Sequence, residues 1–171
     1  VPKKMSFKSL TARRRVCPVM QTESAECGLA CVAMVASYHG YDTDLTHLRR
    51  RFKPSQKGST LVQLMRWCVD LGLTARPLRA NLNHLAEVQL PAILHWNFDH
   101  FVVLTAVGAD HADIVDPANG VRRVSRRELS DCYTGVALEV QKAPGFTPTS
   151  ARKTLRLRDL LTALLRCLIP C

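Results

Sequence analysis

Cys27 stands where a polar stretch, QTESAEC from Gln21, meets an apolar run that recurs at helical spacing through Leu29, Ala30, Ala33, Val35 and Ala36 to Tyr38. Gly40 stops that run. A thiol in the first turn of a helix meets unpaired backbone N–H groups and the positive end of the helix dipole, and both favour thiolate over thiol. Gln21 lies upstream, in a loop able to fold back over the same helix end. A side-chain amide there can donate to an oxyanion beside the backbone N–H of the nucleophile. The pattern is that of a cysteine nucleophile.

Such a nucleophile needs a base to take its proton and a third group to orient the base. The chain has six histidines. His39 at a helix end and His47 and His84 on short helices read as surface residues. His95 and His100 flank one turn, and His100 opens HFVVLTAV, the most apolar strand of the chain. A turn near Gly108 or Ala109 sets position 100 across from roughly 116 to 118 in antiparallel pairing. Asp116 then falls within a residue or two of facing His100, where a carboxylate fixes the tautomer of the ring. Taken alone, Asp116 before Pro117 reads first as a turn-starting residue; with His100 and Cys27 it completes the set. The Cys27/Cys31 spacing also suits a metal, but no second pair of ligands follows at a known spacing. Cys31, Cys68 and Cys132 read as small buried hydrophobes, and no metal is expected.

The elements that must hold these residues are legible in order. Asp42, Thr43 and Asp44 offer caps for a helix LTHLRRRF, and Ser59 or Thr60 caps a third helix that Gly72 ends. Strands follow at Leu73–Ala80, Pro91–His95, His100–Val107, Ala112–Val115 and Gly135–Val140, with a short helix after Asn81 and another capped by Ser125 with Glu128. Asp116-Pro117-Ala118-Asn119-Gly120 is a dense turn signal. Helices first and an antiparallel meander after them make an α+β layout.

Length and composition fit one globular domain with short flanks: 171 residues, 47% apolar, 22% charged. The net charge of +10 sits at the ends. Residues 1–15 hold six basic residues and no acid, and residues 152–166 hold five basic residues and one acid, which together account for all of it. Basic arms on a neutral core suit an anionic membrane surface or a polynucleotide by charge alone. Only Phe7 interleaves an aromatic with the basic residues, which argues against nucleic acid. Seven cysteines, an odd count and several in apolar helical patterns, read as reduced thiols in a cytosolic compartment. The longest apolar run, near Leu160–Pro170, is broken by Thr162 and Arg166, so the chain reads as soluble. The expected organisation is a basic arm (1–15), a catalytic domain (16–141) and a linker leading to a membrane-proximal segment (142–171).

QTESAECGLACVAMVASYHG, KGSTLVQL, ILHWNFDHFVVL and IVDPANG, in that order, closely resemble the C39 peptidase domain of bacterial peptidase-containing ABC transporters, of the colicin V (microcin) exporter type. The resemblance covers about residues 16–140. It implies a papain-like cysteine protease fold, helices packed on an antiparallel sheet, at the cytoplasmic face of the bacterial inner membrane. It implies cleavage of a bacteriocin or microcin precursor after the Gly-Gly pair of its leader peptide, coupled to ATP-driven export. By position, Cys27 is then the nucleophile, His100 the general base and acid, Asp116 the orienting carboxylate and Gln21 the oxyanion donor. No cofactor is implied for the domain; ATP and Mg belong to the nucleotide-binding part of a full transporter. The implied partners are the precursor's leader, the transmembrane and nucleotide-binding domains, and the membrane surface through the basic flanks. The alternative is a catalytically silent docking module that binds the leader without cutting it. Trp96 and Phe98 are candidates for narrowing the cleft so that only glycines fit.

Overall fold

The structure is a computed structural model that describes residues 15–151. The basic residues expected to meet a membrane, apart from Arg15, lie outside the described residues, as does the apolar run near Leu160. Among the described residues no helix is long and apolar enough to cross a membrane.

A single turn of 3-10 helix (Ser24–Glu26) runs directly into α1 (Cys27–His39). Gly40 closes α1 in the left-handed conformation, φ 105°, with its N–H on the carbonyls of Ala36 and Ser37. A two-residue strand β1 (Tyr41–Asp42) leads to α2 (Leu45–Phe52), where the Asp44 carboxylate accepts from the N–H of His47. α3 (Leu61–Asp70) starts at Thr60, whose hydroxyl accepts from Gln63 N–H while the Gln63 side chain accepts from Thr60 N–H, a reciprocal capping box. Then come β2 (Leu73–Arg79), a 3-10 segment (Leu82–Glu87), β3 (Ala92–Trp96), β4 (His100–Val107), β5 (His111–Asp116), β6 (Gly120–Ser125), α4 (Arg126–Cys132), β7 (Tyr133–Lys142) and β8 (Thr149–Ser150).

The main sheet has the order β2-β7-β3-β4-β5-β6, antiparallel throughout. The meander expectation holds from β3 to β6; β7 then returns across the sheet and inserts between β2 and β3. Glu139 pins that insertion, because it faces Arg76 on one neighbour and Ala92 on the other. Its buried carboxylate accepts from the Arg76 guanidinium at 2.6 Å and from Gln89 N–H at 2.9 Å. β6 is absent from the expected strands. Arg122 and Arg123 interrupt its apolar character, as is usual for an edge strand, and only Val124 is buried.

Alternate residues of the central strands feed two apolar layers. Phe101, Val103 and Val115 pack with α1, α2 and α3; Val102, Leu104 and Ile114 pack with Leu85, Leu129 and Trp96 on the other face. β4 is therefore apolar on both sides because both its faces are covered. α1 is enclosed almost all round, since it lies against β4, α2 and α3 at once. Residues 143–151, which precede the remainder of the expected linker, lie against the body. Ala143 N–H bonds the Gly72 carbonyl, Phe146 packs on the α1-side core, and β8 pairs in parallel with β1.

Candidate active site

Cys27, the first residue of α1, is buried at 3% exposure. α1 packs along β4, and β4 begins at His100 while antiparallel β5 ends at Asp116. All three residues therefore gather where β4 begins and β5 ends. The pairing of Val103 with Val115 puts position 100 opposite position 118, so Asp116 reaches His100 on the diagonal. His100 Nε2 lies 2.8 Å from Asp116 Oδ1, and the Cys27 thiol is a hydrogen-bond partner of the same ring. With Nε2 engaged, the nitrogen left for Cys27 is Nδ1.

Burial pulls the His100 pKa down, but the hydrogen bonds and charges of Cys27 and Asp116 outweigh it and push the value up to about 9. Burial would raise the carboxyl pKa of Asp116; Asn119, His100 and the Ala118 N–H hold it below the ordinary value instead. Oδ1 accepts from Ala118 N–H at 2.8 Å as well as facing His100, and Oδ2 accepts from Asn119 Nδ2 at 2.8 Å. Arg122 stands 3.8 Å from Oδ2 and is held by Glu128 at 2.6 Å. The turn signal DPANG thus does two things: it reverses the chain and it saturates the carboxylate.

Gln21 is tied to the same turn through its backbone, N–H to the Pro117 carbonyl at 3.0 Å. Its Oε1 is buried without a hydrogen-bond partner among the described residues, so that oxygen bonds neither Cys27 nor His100.

Sequence reasoning missed Glu26. It is buried at 6% exposure immediately before Cys27. Its carboxylate accepts the backbone N–H groups of Thr22 and Glu23 at 3.2 and 3.1 Å and is paired with Arg49 of α2, which also reaches the Thr22 hydroxyl. The Arg49 guanidinium, chiefly, holds the Glu26 carboxyl below its usual range. This network folds residues 22–26 against α2 and fixes the entry to α1. Its only trace in the sequence is one acid beside the cysteine and one arginine among three on α2.

Of the other histidines, His95 lines the cleft beside Cys27. His39 is buried, not at the surface as expected, with Nε2 on the Val140 carbonyl at 2.9 Å. Cys31 is fully buried one turn along α1, and burial, followed by the charges of Cys27 and Asp116, raises its pKa well above the ordinary value. Trp96 is packed in the far apolar layer and does not narrow the cleft. Phe98 does line it. A cleft of about 490 Å³ opens over Cys27, lined by Gln56–Ser59 from the loop before α3 and by His95, Phe98, Asp99 and Phe101 from the β3–β4 hairpin. Chemically, this is a thiol paired with an oriented imidazole beneath an open cleft.

The family model for the peptidase C39 family matches residues 15–145. The chain is 42% identical over 152 residues to the colicin V secretion/processing ATP-binding protein CvaB of Escherichia coli, covering 89% of this chain and 22% of that protein. It is 41% identical, with the same coverage, to the probable microcin-H47 secretion/processing ATP-binding protein MchF of Escherichia coli. The chain thus spans about a fifth of the length of these relatives. Among solved structures it is similar to a double glycine motif protease from an AMS/PCAT transporter in complex with the leader peptide. That match has a TM-score of 0.72 and 32% identity, covering 78% of this chain and 96% of the other. The peptidase domain of Streptococcus ComA shares the fold, with a TM-score of 0.68, 24% identity and coverage of 75% and 99%. The chain belongs to the peptidase C39 family of papain-like cysteine peptidases.

Proposed function

We propose that this domain cuts the leader peptide from a bacteriocin or microcin precursor after its Gly-Gly pair, as the processing part of an ABC exporter. The observation that carries the reading is the meeting of Cys27, His100 and Asp116 at one end of the β4–β5 pair, with His100 Nε2 2.8 Å from Asp116 Oδ1 and Cys27 on the same ring. In this reading the Cys27 thiolate attacks the carbonyl carbon of the second glycine. The carbonyl oxygen takes the negative charge beside the Cys27 N–H and the Gln21 amide. His100, protonated, gives its proton to the departing amine as the C–N bond breaks. A water then loses a proton to His100 and cleaves the thioester, freeing the leader acid and the thiol. Asp116 holds the ring throughout. Thiol, imidazole and carboxylate supply this chemistry without a cofactor.

The relatives' names join secretion and processing in one protein. By the same reading this domain works at the cytoplasmic face, on the same chain as transmembrane and nucleotide-binding parts. Its basic flanks then meet the anionic membrane surface. The test is cleavage of a synthetic leader ending in Gly-Gly plus a few residues, by wild type and Cys27→Ala in parallel. Cutting after the second glycine, absent in Cys27→Ala, is the expected result. Binding without cutting by both proteins replaces the peptidase with a docking module.

A further inference from the structure

Phe98 is the oddest residue of the cleft. It sits at the tip of the β3–β4 hairpin, 83% exposed, with φ 65° after Asn97 at φ 49°. Two successive positive φ values make a type I′ turn, a geometry that suits Gly, Asn and Asp. Asn97 fits that preference. A phenylalanine does not, because its β-carbon crowds the following carbonyl in the left-handed region. The ring is not compensated by burial either. Its neighbour is the His95 ring, edge-on with centroids 6.4 Å apart. A strained aromatic that adds nothing to the core, beside a nucleophile, has the character of a ligand contact.

The surroundings say which ligand group it meets. His95 is a fixed platform: Nδ1 lies 2.8 Å from Thr134 Oγ1, that hydroxyl donates back to the His95 carbonyl, and the ring leans on Phe101. Gly58, also at positive φ and with no side chain to offer, lines the same cleft between Lys57 and Ser59. A peptide lying over Cys27 therefore shares the cleft with the Phe98 ring.

The geometry points to Phe98 as a specificity-determining residue whose ring lies against the residues next to the scissile bond and excludes a β-carbon there. This rests on the peptidase reading and names the residue that enforces its glycine requirement. The ring is kept despite the strain because without it alanine would enter the slot.

The experiment compares kcat/KM for three synthetic leaders ending in Gly-Gly, Ala-Gly and Gly-Ala, each followed by the same residues, in wild type, Phe98→Gly and Phe98→Asn. Both variants suit positive φ and lack the ring. The preference for Gly-Gly over at least one alanine peptide should fall about 10-fold or more, the scale of one methyl in a well-formed pocket. Melting temperatures should stay level or rise, because strain is relieved. Wild type that cuts no Gly-Gly peptide refutes the peptidase reading itself. Wild type that cuts it, with preferences unchanged in both variants, refutes only the role of Phe98. Lower melting temperatures in both variants overturn that role too, since the ring would then belong to the fold.

Discussion

Asp116 Oδ1 holds His100 by Nε2, and Cys27 meets the other nitrogen of the ring, so the imidazole is clamped from both sides. Each clamp favours the protonated ring, and together they push its pKa to about 9 against the effect of burial. The stabilisation the clamp gives the fold is complete below the free-histidine value and is lost as pH rises through about 9. Peptidase activity should decline over the same alkaline limb, as the imidazolium that protonates the leaving amine disappears. Asp116→Asn removes a charge and shifts that limb to lower pH, with kcat reduced on the order of 10²–10⁴-fold at neutral pH. A pH profile of kcat/KM decides it: an alkaline limb that stays in place in Asp116→Asn contradicts the clamp.

Asn119 acts one step further back. Its Nδ2 engages Asp116 Oδ2, which leaves Oδ1 turned to the histidine. Asn119→Ala should lower kcat roughly 10-fold with KM unchanged, since nothing in the cleft wall moves. The alkaline limb should also shift as the carboxylate loosens. A change confined to KM would place Asn119 in substrate binding instead.

Gln21 offers a cleaner separation of chemistry from binding. Its backbone bond to Pro117 survives any side-chain change, so the loop stays in place. Loss of one oxyanion donor is worth about 10²–10³ in kcat. Gln21→Ala should show that loss at unchanged leader affinity, measured by titration on a Cys27→Ala background. Full activity in Gln21→Ala assigns the oxyanion to backbone donors alone.

The parts of the site that were legible in the sequence are those set by local rules. Cys27 at a helix start, His100 at the head of an apolar strand and Asp116 at a Pro turn each follow from cap, period or turn chemistry over a few residues. The diagonal reach of Asp116 to His100 followed from hairpin register, which short turns fix. Glu26–Arg49 and the insertion of β7 were not legible, because both join residues far apart in sequence and neither leaves a periodic pattern. β6 was hidden for a different reason: an edge strand needs apolar residues on one face only, and Arg122 and Arg123 masked the single buried Val124. Phe98 was visible as an aromatic beside the site, while its positive φ was not, since the sequence offers an unfavoured residue there.

Glu26 supports Cys27 by holding the segment before it. Glu26→Ala leaves the N–H groups of Thr22 and Glu23 and the Arg49 guanidinium without their shared acceptor. A loss of about 2 kcal/mol in urea unfolding is expected. Arg49→Ala should cost a similar amount, and the double variant little more than either, because both remove the same network. Simple additivity in that cycle would mean that the pair does not act as a unit. The sign with pH also follows: the Glu26 carboxyl is held below its usual range, so this stabilisation is present above the unfolded-state value and is lost as pH falls through the folded one.

Gly28, directly after Cys27, tests how tightly α1 is seated. A β-carbon there would lie 2.8 Å from Leu64 Cδ1 and 3.1 Å from Ser59 Cβ. Leu64 is fully buried, and Ser59 belongs to the loop that lines the cleft together with Phe98. Alanine is the better helix former, so on a free helix the change would stabilise. Here overpacking wins, and Gly28→Ala should destabilise by about 1–3 kcal/mol. The strain has two outlets, a shift of α3 or a shift of the Gly58–Ser59 loop, and the second alters the cleft beside Cys27. Gly28→Ala combined with Leu64→Ala separates them. If the smaller residue at 64 restores kcat/KM while stability stays low, the cleft wall had been displaced through Leu64. If kcat/KM stays depressed, the contact with Ser59 sets the width of the slot directly.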